Sequence, residues 1–339
     1  MIKNKKEADD IALSLNSGYW AVNGIYYFHK GDALRYASKT NANVTYHFFD
    51  DIYDKANWFK EPIESFEELC KRRAQQLRDK YNYLALSYSG GADSTNVLQS
   101  FLKNNIKLDE VVTFFRVEDA EKDIDKFNIN DRSGENYMYE YMYAVKPVLK
   151  WLSIHHPEIK ITVIDISESS INVVYDCQSH NYVLGGLITT PTLIGHAKIR
   201  DHMLKYSHGA ALIFAVDKPR LAFNHSTKTF FTYFHDFNTF LGNWSQTPGQ
   251  YTSTEYFYYT PKMPELLVKS TLTLKNALTP IMLNSSNVLY KHITFPSKNA
   301  GFSIIDVHSD FCKKILYPTW NTNTYQVEKL SSFLWPEYT

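Results

Sequence analysis

Four apolar runs, Tyr83–Tyr88, Val111–Phe115, Ile161–Ile166 and Ala210–Val216, constrain the fold of this chain more than any other feature. Each is nearly continuous and rich in β-branched, aromatic or Leu residues, so each reads as a strand covered on both faces. Between them the spacing turns helical, first at Val97, Leu98, Phe101 and Leu102, then through Met138, Tyr141, Met142, Val145, Val148 and Leu149. Thr190-Pro191 offers an N-cap and a first-turn proline for a further helix running toward Leu204. Strands alternating with helices predict an α/β fold built on an open, mainly parallel, doubly wound sheet.

We assign that layer domain to residues 66–235. A small α+β unit at 1–65 precedes it, and a C-terminal extension at 236–339 shapes its substrate side. In the N-terminal unit, Asn23-Gly24 between two short apolar runs is a type I′ hairpin signal, and a helix over 32–38 and a strand over 44–49 follow. Ser65 and Glu68 have capping-box spacing ahead of a helix in which Leu69, Ala74 and Leu77 face inward. Its Lys71, Arg72, Arg73 and Arg78 are expected to form a basic outer face. The extension carries one clear helix signal, Pro264 to Leu274.

Composition excludes several classes. The 339 residues exceed the size, roughly 250–300, at which one core stops growing, so two packed units are expected. With 36 basic and 36 acidic side chains there is no net field to draw a nucleic acid or an anionic membrane, and any polyanion contact must be local. The three cysteines, Cys70, Cys177 and Cys312, form no CxxC pair, which leaves neither a disulfide framework nor a tetrathiolate metal site within the chain. They suit a reducing compartment, and with no apolar run near the roughly 18 residues of a membrane span the expected location is cytoplasmic. An aromatic content of 15%, with 25 Tyr and 21 Phe, excludes a disordered chain.

Chemistry concentrates in Ser89-Gly-Gly-Ala-Asp-Ser-Thr95, between the first buried strand and the helix after it. Gly90 and Gly91 let backbone approach a ligand closely, while Ser94 and Thr95 fall in a first helical turn, where unpaired N–H groups and the helix dipole attract anions. The loop lacks the Lys of the GxxxxGK[ST] phosphate loop. Asp93 is the informative residue. A carboxylate about 4 Å from a phosphate costs several kcal/mol at an effective dielectric of about 20 unless a cation intervenes, so Asp93 implies Mg²⁺. A Gly-Gly turn closed by an Asp or Ser helix cap accounts for the same residues without a ligand.

Tyr88-Ser-Gly-Gly-Ala-Asp-Ser94 resembles the SGGxDS pyrophosphate-binding loop of the ATP pyrophosphatase (PP-loop) family. That family includes asparagine, argininosuccinate, GMP and NAD synthetases and several tRNA-modifying and sulfur-transferring enzymes. The resemblance covers about residues 80–220 and is nearest in character to the synthetase half of asparagine synthetase. It implies a Rossmann-like nucleotide-binding domain in which the loop holds the β- and γ-phosphates of ATP. A substrate oxygen then attacks the α-phosphorus, pyrophosphate leaves, and a nitrogen or sulfur nucleophile displaces AMP. Carried onto this chain, Ser89, Gly90, Gly91, Asp93, Ser94 and Thr95 are the phosphate and metal residues. The adenosine meets the end of the second strand at Phe114, Phe115 and Arg116. The chain also departs from the family's pattern. Position 2 is Ile2, not the nucleophilic Cys of glutamine-using asparagine synthetases, no amidohydrolase domain fits in the N-terminal unit, and the later glycine-rich acidic motif is missing. Cysteine pairs of the thiolating relatives are missing too.

Elsewhere, Asp217, Lys218 and Arg220 follow the fourth strand. Lys218 or Arg220 offers charge to departing pyrophosphate and Asp217 a place for a second Mg²⁺; a solvated turn fits equally. Asn136 and Glu140 read as an exposed helix face, His308 and Cys312 as a packing pair at i, i+4 spacing, and His155-His156 as a helix end. The expected activity is an AMP-forming ligase that adenylates an oxygen of its acceptor for a nitrogen nucleophile. The alternatives are modification of a nucleic-acid base or nucleotide by thiolation or amination, and a non-catalytic ATP- or AMP-binding protein.

Overall fold

In the computed structural model of this chain, the structure describes residues 2–15, 18–28, 30–122, 141–167, 198–199, 201–203, 205–206, 209–215, 220–233, 252–284, 294–296, 304–307 and 309–317. The expected helix over 190–204 lies largely outside them. The described residues divide into two compact units, one drawn from 1–75, 215–242 and 256–322, the other from 76–214 and 243–255.

The first unit begins with α1 (Lys5–Leu15), β1 (Tyr19–Val22) and β2 (Ile25–Tyr27). Asn23 and Gly24 between the strands have φ of 50° and 73°, the two positive values a type I′ turn requires. α2 (Lys30–Thr40), β3 (Thr45–His47) and α3 (Asp50–Tyr53) follow, and the strands pair antiparallel in the order β2-β1-β3. Much of the aromatic content is spent here. Tyr19, Phe49 and Tyr53 pack with Ala8, Ala12 and Leu267, and Trp20 and Tyr27 pack with Val22, Ala33 and Ala37. The Tyr19 hydroxyl donates to Asp9 at 2.7 Å, so its burial leaves no orphaned polar atom.

α4 (Phe66–Lys80) starts from a reciprocal capping box: the Glu68 N–H donates to Ser65 Oγ at 3.1 Å and the Ser65 N–H to Glu68 Oε2 at 2.7 Å. The basic outer face expected of this helix is corrected in part: Lys71 and Arg72 are exposed, but Arg73 and Arg78 are not. Arg73 is 1% exposed and donates to the Tyr256 carbonyl at 2.9 Å. Arg78, 17% exposed, donates to Asp109 at 2.6 Å and to the Lys107 carbonyl at 3.2 Å. Helical spacing puts Arg73 on the stripe of Leu69, Ala74 and Leu77, and the side chain takes a carbonyl partner instead of water.

The second unit holds β4 (Tyr83–Ser87), α5 (Ala92–Leu102), β5 (Glu110–Phe115), α6 (Val117–Lys122), a π-helical turn at Tyr141–Val145 that runs into α7 (Lys146–His155), β6 (Lys160–Asp165) and β7 (Ala210–Phe214). Further along the chain come β8 (Arg220–Asn224), β9 (Thr229–Tyr233), β10 (Thr252–Tyr256), α8 (Pro264–Met282), β11 (Thr294–Pro296), β12 (Ile304–Val307) and α9 (Ser309–Leu316). All four apolar runs become strands of one five-stranded sheet, ordered β10-β7-β4-β5-β6, in which β7, β4, β5 and β6 pair in parallel. The α/β class is therefore observed. A separate four-stranded sheet in the first unit, β11-β12-β8-β9, is antiparallel.

The amino-terminal edge of the parallel sheet carries a buried acidic network. Glu110, fully buried, accepts from Thr162 Oγ1 at 2.5 Å, Tyr206 OH at 2.7 Å, His202 Nε2 at 2.8 Å and Tyr83 OH at 3.0 Å. Burial alone pushes its carboxyl up. The hydrogen bonds from Thr162, Tyr206 and His202 outweigh that and hold it below the ordinary 4.5. A carboxyl held lower in the folded than in the unfolded chain contributes its full stability above pH 4.5 and loses it as pH falls through the folded value. Glu110→Ala should therefore cost about 3 kcal/mol at neutral pH, read from the urea midpoint, and the gap to wild type should close on acidification. A gap that widens in acid would contradict this.

Candidate functional site

Tyr88 extends the ladder of β4 by one bond, its N–H donating to the Val112 carbonyl at 2.9 Å. Its ring is buried, and its hydroxyl lies 3.1 Å from the buried Thr95 Oγ1, tying the strand end to the first turn of α5. Ser94, 1% exposed, closes the loop between them. Its Oγ accepts from the Ser89 N–H at 3.2 Å, donates to the Gly91 carbonyl at 3.1 Å and lies 3.1 Å from Ser89 Oγ. Thr95 and Ser94 thus face inward and organise the loop, whereas Ser89 is exposed and Asp93, in the first turn of α5, is half-buried.

The two glycines differ in whether the structure requires glycine. Gly90 is buried at φ 77°, and a Cβ there would come within 2.6 Å of Val145 Cγ2 and 3.2 Å of Ala144 Cβ, both on the π-helical turn. Packing alone demands it. Gly91 is the N-cap of α5 at φ −75°, ψ 167°, extended backbone open to any residue, and a Cβ would meet nothing nearer than Ser89 Oγ at 3.5 Å. No side chain caps the helix from this position. The first intrahelical bond runs from the Thr95 N–H to the Gly91 carbonyl at 3.0 Å, and the amides of Ala92, Asp93 and Ser94 precede it.

Phe115 and Arg116 stand at the carboxyl end of the neighbouring strand. Phe115 is buried, its ring 5.5 Å from that of Tyr141 on the π-helical turn. The structure thus gathers Ser89–Thr95, Phe115 and Arg116 at the carboxyl ends of two adjacent parallel strands. Asp217 and Lys218 lie outside the described residues, as do Asn136, Glu140 and His308. Arg220 opens β8 in the first unit, its backbone paired with Tyr233. Cys312 is half-buried in α9, and His155 ends α7 with His156 as its cap.

Asp165 and Ser167, at the end of β6, escaped the sequence reading. Their only signal is a carboxylate breaking an apolar run, with a serine two residues on. No family model matches the chain, and no curated protein or solved structure matches it. Among the described residues no helix is long and apolar enough to cross a membrane.

What such a loop can do is bind an anion: amides at a helix start ahead of the first intrahelical bond, an exposed hydroxyl at Ser89, and no side chain at Gly91 to obstruct approach. The two glycines should respond differently to alanine. Gly90→Ala is expected to cost at least about 2 kcal/mol, from positive φ and overpacking against Val145, whereas Gly91→Ala should stay within about 1 kcal/mol of wild type. Denaturant midpoints of the two variants check this, and equal losses would refute the distinction.

Proposed function

We propose that this chain is an ATP-dependent enzyme that forms AMP and pyrophosphate, adenylating an oxygen of its acceptor for attack by a nitrogen nucleophile. Gly91 is the observation that carries the reading. Helix N-caps favour Ser, Asp, Asn and Thr, whose side chains satisfy the first amides themselves, and Gly, which leaves those amides open. Here the backbone permits any of them and the space admits a Cβ, yet the residue is glycine. An N-cap that offers its amides no side chain suits a ligand that supplies the acceptor. The turn is held from within by Ser94 and Thr95, so the amides are pre-oriented before a ligand arrives.

Topology supports the location. Read in chain order, the order β6-β5-β4-β7-β10 reverses direction beside β4. In doubly wound, Rossmann-like sheets the crevice beyond the strand ends at such a reversal takes the nucleotide. The residues present also fit Mg²⁺. Among the described residues no three His, Cys, Asp or Glu side chains converge, so an ion at Asp93 would draw its remaining ligands from phosphate and water oxygens, as Mg²⁺ does in many phosphate sites. When bound, Mg²⁺ would neutralise phosphate charge. Ser89 and the α5 amides would hold the phosphates in line. A basic face on α4 that could guide a nucleic acid is reduced to Lys71 and Arg72, because Arg73 and Arg78 are engaged with Tyr256 and Asp109.

The test is nucleotide analysis after incubation with ATP, Mg²⁺ and cell extract, alongside a mass-spectrometric search for adenylated small molecules or altered nucleosides. AMP and pyrophosphate should accumulate, Asp93→Ala should abolish them without unfolding the chain, and Ser89→Ala should slow them by on the order of 10². ADP as product, or wild-type turnover in Asp93→Ala, would overturn the assignment, and binding without turnover would make the chain a nucleotide sensor.

A further inference from the structure

The loop after β4 and the corner after β5 are built alike, each a parallel strand end feeding a helix, yet their amides are treated oppositely. At α5 no side chain caps from Gly91. At α6 two residues of another strand fill the corner. Asp165 Oδ1 accepts from the Val117 N–H at 3.1 Å, the Ser167 N–H at 2.8 Å and the Ser167 hydroxyl at 2.6 Å, and Ser167 Oγ accepts from the Glu118 N–H at 3.1 Å. Ser167 is fully buried, and the Ile166 N–H donates to the Phe115 carbonyl at 3.0 Å, so the corner is fastened through backbone and side chains together. Lys198 Nζ donates to the Asp165 carbonyl at 3.2 Å from a further segment.

Burial pushes the Asp165 carboxyl up. The bonds from Ser167, Val117 and Glu118 outweigh it and keep the group charged well below neutral pH. The amides that open α6 are thus spent on the protein's own Asp165 and Ser167. Phe115 and Arg116 stand immediately before those amides, Phe115 buried and its carbonyl bonded to the Ile166 N–H.

We propose that Asp165 and Ser167 are positioning residues that fix the segment Phe115–Glu118 as a preformed wall for the nucleoside half of the nucleotide. This rests on the reading of Ser89–Thr95 as an ATP site. A rigid wall saves the ordering cost that a loose corner would impose on each binding event. Its benefit falls on ligands that carry a nucleoside and not on bare polyphosphate, which touches only the loop after β4.

That asymmetry is measurable. Dissociation constants for ATP with Mg²⁺ and for inorganic tripolyphosphate with Mg²⁺ are compared in wild type, Asp165→Ala, Asp165→Asn and Ser167→Ala. Amide hydrogen exchange of the wild-type chain with and without ATP runs in parallel. Asp165→Ala should weaken ATP at least tenfold and tripolyphosphate less than twofold, and Asp165→Asn, which keeps an acceptor oxygen, should recover most of the loss. Should Asp165→Ala fail to fold, Ser167→Ala, which removes one acceptor, should show the same split at about threefold. In wild type, ATP should slow exchange both at 88–95 and at 115–118. Protection at 88–95 alone, or equal weakening of both ligands, would overturn the wall while leaving the ATP site standing. No protection at either segment would overturn the ATP reading and this inference with it.

Discussion

β4 is hydrogen-bonded in parallel along both edges, to β7 from Tyr83 through Ser87 and to β5 from Ala85 through Ser87. Leu84, Ala85 and Leu86 are fully buried between these neighbours, and at about 1.5–3 kcal/mol per large apolar side chain such burial fixes the strand's register. Everything proposed for function depends on that register. It delivers Tyr88 to a buried hydroxyl contact with Thr95, and the contact sets where α5 begins. A slip of one residue would turn Tyr88 to the opposite face and dissolve the loop.

The two ends of the sheet divide the charge between them. Glu110 and Asp109 stand at the amino-terminal edge, where Arg78, Lys107 and a set of hydroxyl and ring donors satisfy them. At the carboxyl-terminal edge Asp165 is satisfied by amides and Ser167. Asp93, half-buried like Asp165, stands at the same edge in the first turn of α5 beside the exposed Ser89. The two buried carboxylates of the amino-terminal edge, Asp109 and Glu110, thus stand at the opposite end of the sheet from the carboxylate proposed to act.

What the sequence disclosed is what depends on neighbours along the chain. The Asn23-Gly24 hairpin, the Ser65 and Glu68 capping box and the four apolar strands each carry their signal within a few residues, and each forms. The run Ile161–Ile166, however, is not covered on both faces: as β6 it is the edge of the sheet, with Val163 38% exposed. The loop's place between strand and helix was legible for the same reason. Arg73 was misread because a cation within a basic run looks solvated, and its carbonyl partner belongs to Tyr256, far along the chain. Glu110 was passed over because its ring and hydroxyl donors, His202 and Tyr206, are equally remote. Gly90 and Gly91 are indistinguishable as letters. Only the approach of Val145 shows that packing requires the first and leaves the second unexplained by packing.

That unexplained glycine bears on whether a cation is obligatory. A helix start attracts an anion by about 0.3–1 kcal/mol when exposed, and by about 2 kcal/mol in a favourable, partly buried setting. A carboxylate about 4 Å from the same anion opposes it by about 4 kcal/mol at an effective dielectric of 20. With Asp93 in the first turn, the dipole of α5 alone loses this comparison, and hydrogen bonds from amides and the Ser89 hydroxyl, each about 1 kcal/mol net, only narrow the deficit. A divalent ion between carboxylate and phosphate reverses the sign of the largest opposing term. On the proposed reading, phosphate affinity and Mg²⁺ affinity at this loop would be two faces of one equilibrium, and by linkage each would raise the other.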